Sequence, residues 1–93
     1  MKRAATAAEK RHMELVAQLP CGVCHAPGPS IVHHMRAGFG GAQRAPNALT
    51  MPLCWEHHVG KTGIHGDKSA WRLRNIDEYD VLADTILKLE AMK

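Results

Sequence analysis

The chain has 93 residues, with 12 Lys and Arg against 9 Asp and Glu for a net charge of +3, and a stretch of that length reads as one domain with a single modest core. With one Phe, one Tyr and two Trp among eight Gly and five Pro, the core is thin, and so small a scaffold commonly takes a metal or disulfide staple. Three Cys exclude a paired disulfide framework, and no apolar run reaches the roughly 18 residues of a membrane span or follows the start as a leader, so the chain reads as cytoplasmic, membrane-free and reduced, its thiols open to metal.

Residues 4–19 are rich in Ala, with Met13, Val16, Ala17 and Leu19 on an apolar side and Pro20 as the stop, which predicts a helix. Cys21-Gly22-Val23-Cys24 is a tight turn, followed by a loop holding Pro27, Gly28 and Pro29. Ile31 to Met35 is β-prone and long enough for one strand. Residues 36–47 contain Gly38, Gly40, Gly41 and Pro46, a long polar loop of the kind that is more often functional than idle. Ala48 to Leu53 reads as a second strand, which Pro52 confines to an edge or to the strand's end.

From Cys54 the residues Trp55, Glu56, His57, His58 and Val59 suit a helix, broken by Gly60 and Gly63. Asp67 can cap a short helix through Arg74, and Asp77 a last one. In that last helix Tyr79, Leu82, Ile86 and Leu89 form a stripe expected to pack on the middle of the chain. The organisation is therefore an N-terminal helix over 1–19, a central unit over 20–66 and C-terminal helices over 67–93, all in one α+β domain.

Charge is unevenly spread. Residues 20–74 carry Arg36, Arg44, Lys61, Lys68, Arg72 and Arg74 against two acids, whereas residues 75–93 have a net charge of −3. A basic middle beside an acidic tail suits a phosphate-facing surface backed by a solvated helix. Arg36, Arg44, Lys61, Lys68 and Arg72 are the candidate nucleic-acid contacts; backbone contacts of this kind carry little sequence information. Aromatic residues are too few for base stacking, and Trp71 is expected to pack.

Cys21-x-x-Cys24 brings two thiolates onto one turn, where they can converge on a tetrahedral ion. Cys54 sits at the mouth of a predicted helix with His57 and His58 three and four residues on, so either His can complete a closed structural zinc site. The alternatives are three buried free thiols, which the polar, Gly-rich setting disfavours, and a redox pair, which lacks its βαβ frame.

Seven His in the chain, five of them within residues 33–65, exceed what one zinc can take. His33 and His34 are adjacent on a strand and point to opposite faces. His57 and His58 lie about 100° apart on a helix. One of that pair can complete the zinc while its neighbour faces a groove. His33 and His34 can otherwise be plain surface residues, and His12 and His25 are assigned no role.

The order His33-His34, twelve residues, Asn47, ten residues, His58 resembles the HNH, or His-Me finger, nucleases, with Cys-x-x-Cys ahead of the first strand and Cys54-Trp55-Glu56-His57-His58 at the helix start. The string Met51 to His58, followed by Gly63-Ile64-His65, is most similar to phage-borne recombination-enhancing nucleases of the Ref type. The resemblance covers roughly residues 20–80 and implies a zinc-stapled ββα-metal core with flanking helices. It implies His57 in the second Cys position of the zinc site, completing a set with Cys21, Cys24 and Cys54. It also implies His34 as general base, Asn47 orienting the loop around that base, and His33 and His58, joined by His65, on a catalytic divalent ion.

An imidazole can take a proton from water near neutral pH, and His ligands suit Zn²⁺, Mn²⁺ or Ni²⁺ where oxygen-rich sites suit Mg²⁺. No carboxylate stands out to join the set. The expected activity is hydrolysis of DNA phosphodiester bonds with little sequence specificity, on a substrate that includes single strands or recombination intermediates, and the Ref likeness implies dependence on RecA filaments. The competing reading is a non-catalytic zinc finger that binds nucleic acid or protein; a third is a histidine-rich metal store.

Overall fold

The computed structural model describes residues 4–39, 43–60, 63–65 and 69–92. Helix α1 (Ala7–Gln18) starts at a capping box: the Thr6 hydroxyl accepts from the Glu9 N–H at 3.1 Å, and the Thr6 N–H donates to the Glu9 carboxylate at 2.8 Å. It ends before extended Leu19 and Pro20, and buries Val16. Strands β1 (Ile31–His34) and β2 (Thr50–Leu53) pair antiparallel, with Ile31 opposite Leu53 and His34 opposite Thr50. Among the described residues this sheet has two strands, so each is an edge and Pro52 is tolerated inside β2. The Pro52 carbonyl accepts from the Gly22 N–H at 2.9 Å, tying the Cys21–Cys24 turn to the sheet.

Helix α2 (Trp55–His58) is one turn, α3 is Ser69–Leu73, and α4 is Glu78–Ala91. The cap expected of Asp67 lies outside the described residues, as do Lys61 and Lys68. Asp77 caps α4 as expected, in a second capping box with Asp80. The result is a small α+β domain in which β2 packs against α1, α2 and α4. Met51, Leu53, Cys21, Val23, Trp71 and Val81 form one buried cluster; Val16, Leu19 and Leu89 form another between α1 and α4. No helix among the described residues is long and apolar enough to cross a membrane.

The buried face of α4 differs from the expected stripe. Tyr79 and Ile86 are 59% and 50% exposed, and the face turned inward is Glu78, Val81, Leu82, Thr85 and Leu89. That face includes two polar residues whose groups are satisfied internally: the Thr85 hydroxyl donates to the Val81 carbonyl at 2.7 Å, and Glu78 accepts from donors on β1 and its exit. The acidic tail is thus not wholly a solvated face.

The two faces predict different costs. With zinc held constant, Leu89→Ala is expected to lower the unfolding free energy by about 2–4 kcal/mol in a denaturant titration. Ile86→Ala is expected to cost less than about 1 kcal/mol. Equal losses would contradict the packing of α4.

Candidate metal centres

Cys21 and Cys24 sit on the turn that leaves α1, and Cys54 is the N-cap residue of α2, one turn of which brings round His57. One ligand atom from each lies within 4.8 Å of the others. The Cys24 and Cys54 sulfurs are 3.8 Å apart, and His57 Nδ1 is 3.2 Å from the Cys54 sulfur and 3.8 Å from that of Cys21. A tetrahedral zinc with bonds of about 2.3 Å to sulfur and about 2.0 Å to nitrogen requires edges of about 3.8 Å and about 3.5 Å. The donor set and its spacing fit a closed structural zinc. Cys21 and His57 are buried, and Cys24 and Cys54 partly so.

Electrostatics around the thiols are mixed. Burial opposes ionisation of Cys21, but N–H donors from the backbone of Cys24, Cys54 and Val23 outweigh it and lower its pKa. Burial, with the nearby Cys21 charge, raises Cys54. Burial lowers His57, assisted by the Arg74 charge, which favours the neutral imidazole a metal needs.

The adjacent residue faces elsewhere. His58 joins His33 and His65 in a second group whose ligand atoms also lie within 4.8 Å of one another. The Nε2 atoms of His58 and His65 are 3.2 Å apart, near the edge of about 3.3 Å that two nitrogen ligands on a tetrahedral ion span. The three rings meet edge to face, with centroids 4.7–5.3 Å apart. Burial, then the charges of His33 and His65, lowers His58 to about 4, so its lone pair is available at neutral pH. His33 is buried, His58 intermediate and His65 exposed, so this group is the more open of the two.

The glycines that stop α2 are what bring His65 back. Gly60 N–H closes on the Trp55 carbonyl, and the chain reverses so that Ile64 and His65 N–H donate to the carbonyls of His57 and His58. A Cβ at Gly60 would stand 2.6 Å from the backbone of Glu56, and one at Gly63 2.8 Å from that of His58. Only glycine permits so close a return.

On the other face of β1, His34 Nε2 lies 2.9 Å from Asn47 Oδ1, and Arg44 reaches its Nδ1 at 3.3 Å. A guanidinium can only donate, so Nδ1 is the acceptor and Nε2–H donates to Asn47. The Asn47 amide donates at 3.2 Å to Glu9 on α1, which sets its carbonyl towards His34, and the Thr50 hydroxyl holds the Asn47 carbonyl of the main chain.

Each described member of the sequence-derived sets is thus placed. His57, not His58, stands with the three Cys, and His58 and His65 stand with His33. His34 and Asn47 touch. Arg36, Arg44 and Arg72 are exposed, whereas Lys61 and Lys68 lie outside the described residues. His25 is exposed, in a left-handed conformation (φ 63°) at the end of the Cys turn.

Two carboxylates were not foreseen. Glu78, 5% exposed, accepts from His33 Nε2 at 2.6 Å, from the Ala37 N–H at 2.7 Å and from the Arg36 N–H at 3.0 and 3.1 Å. Burial opposes its charge, but the His33 and backbone donors prevail and lower its pKa. No carboxylate joins the three-histidine group itself among the described residues, but Glu78 stands directly behind His33. Glu9 belongs to a helix outside the motif order. Both lie in first turns of helices, where an acid is favoured by the dipole alone, so neither carries a linear signal.

No family model, curated protein or solved structure matches the chain.

The two groups predict two classes of ion. Elemental analysis after exhaustive dialysis is expected to find one retained zinc per chain, and Cys24→Ser to abolish its retention. Titration of the dialysed protein is expected to add one exchangeable ion that His58→Ala removes. Several tightly held ions per chain would contradict the division and favour a metal store.

Proposed function

We propose that the chain is a metal-dependent endonuclease that hydrolyses DNA phosphodiester bonds with little sequence specificity, built on a zinc-stapled ββα-metal core of the HNH type. The observation that carries this reading is the division of labour on β1. His33 turns into a three-histidine group, and His34, one residue on, turns to Asn47 and Arg44. That is a metal-holding group and a base candidate on neighbouring residues, in the residue order that resembles the family.

The structural zinc, held by Cys21, Cys24, Cys54 and His57, fixes the start of α2 against the turn after α1. His33, His58 and His65 would hold the catalytic divalent ion (Zn²⁺, Mn²⁺, Ni²⁺ or Mg²⁺). When bound, that ion supplies Lewis-acid stabilisation of charge on the phosphate and the leaving oxygen.

His34 is the general base. Its Nε2–H is committed to Asn47, so Nδ1 is the nitrogen that takes the proton. Arg44 holds that nitrogen in the free chain. A DNA phosphate is the stronger partner for a guanidinium, so substrate draws Arg44 away and exposes the base. Nδ1 then removes a proton from water, the water oxygen bonds to phosphorus as the bond from phosphorus to the leaving oxygen breaks, the leaving oxygen takes a proton from solvent, and His34 returns its proton to solvent. Arg36 and Arg72 add contacts to the DNA backbone, which makes affinity fall with salt.

His34→Ala tests the assignment. Nicking of plasmid and single-stranded DNA with Mn²⁺ or Mg²⁺ is expected to fall about 100- to 10,000-fold with the retained zinc unchanged. Undiminished cutting would refute the base. Failure of the native protein to cut with any divalent ion, while it still binds DNA or a protein partner, would leave a non-catalytic zinc finger.

A further inference from the structure

We infer that Glu78 is the positioning residue of the three-histidine group: it fixes the ring of His33 and commits its Nε2 to a proton, so that Nδ1 is the nitrogen turned to the ion. The inference rests on the metal-site reading above and adds to it a residue from α4, far from the histidines in sequence.

His33 and Glu78 are both buried, 3% and 5% exposed, and meet at 2.6 Å. Glu78 does not depend on His33 for its place. Its two oxygens also take the N–H groups of Arg36 and Ala37, and it starts α4 directly after the Asp77 cap. A carboxylate held by two backbone N–H groups and by its place at the start of α4 is not free to rotate to follow an imidazole. The imidazole must follow it, and a carboxylate that only accepts selects the Nε2–H form of the ring.

The nitrogen left with a lone pair is then Nδ1. His58 and His65 sit on the adjoining turn, with ring centroids 5.0 and 5.3 Å from that of His33. A carboxylate behind a ligating imidazole orients the ring and raises its basicity, and losing such a partner typically weakens metal binding about 10- to 100-fold. The same carboxylate anchors the chain where it leaves β1, so the His33 ring and the start of the loop carrying Arg44 share one anchor.

A buried pair with only a structural role would affect stability and nothing else, which the test must separate. Glu78→Gln keeps the size of the side chain, but an amide cannot accept from both His33 and the two backbone N–H groups. Glu78→Asp keeps the charge and withdraws it from the ring, and serves if the Gln variant fails to fold. Calorimetric titration of the zinc-loaded protein with Mn²⁺ is expected to show about 10- to 100-fold weaker binding of the exchangeable ion in either variant, with one zinc retained. Leu89→Ala, which loses stability away from the group, is expected to bind Mn²⁺ as the native protein does. Long-range ¹H–¹⁵N spectra are expected to show His33 protonated on Nε2 in the native chain and a tautomer mixture in Glu78→Gln. Native Mn²⁺ affinity in a folded Glu78 variant would overturn the positioning role while leaving the site intact. A native protein that binds no exchangeable ion would remove the metal-site reading and the inference together.

Discussion

Cys54 to His58 is a single helical turn, and both histidine assignments depend on its geometry. Neighbouring residues on a helix diverge by about 100°, so His57 and His58 cannot serve the same ion. Cys54, three residues before His57, shares its face, and the turn after α1 supplies Cys21 and Cys24 opposite them. His58 is thereby directed to the other side, where His33 arrives from β1 and His65 from the chain reversal at Gly60 and Gly63. A four-residue helix has little stability of its own. Its carbonyls are held instead by Ile64, His65 and the Trp71 indole, and a zinc on the Cys group would hold its start.

The polar residues of the interior follow from the same arrangement. Burying Glu78 is costly unless its charge is fully partnered, and His33 with two backbone N–H groups meets that requirement. The consequence reaches α4, whose inward face carries a carboxylate at its first turn beside Val81 and Leu82. A similar chain runs from Glu9 through Asn47 to His34, so that α1 fixes the orientation of an amide and the amide fixes a tautomer. Helices at opposite ends of the chain thus each support one of the adjacent histidines of β1.

Most of this site was legible because metal ligands leave a spacing. Two Cys on a turn, a third at a helix mouth and paired His on a strand and a helix are patterns with a geometric reason, and the alternation of β1 separated His33 from His34. Spacing alone leaves the candidate zinc partner open between His57 and His58; the resemblance implies His57, and His57 is the one that stands with the three Cys. Glu78 and Glu9 were not legible, since an acid in the first turn of a helix is explained by the dipole. The α4 stripe was misplaced for a related reason. Helical spacing of the apolar residues puts Tyr79 and Ile86 on the stripe, whereas the buried face includes Glu78 and Thr85, which satisfy their polar atoms internally. Lys61, Lys68 and Asp67 lie outside the described residues.

Zinc-edge X-ray absorption on the protein loaded with one equivalent of zinc tests the division at α2 most directly. The arrangement predicts three sulfur neighbours at about 2.3 Å and one nitrogen at about 2.0 Å. A first shell of nitrogen and oxygen alone would place the zinc among the histidines and contradict the division.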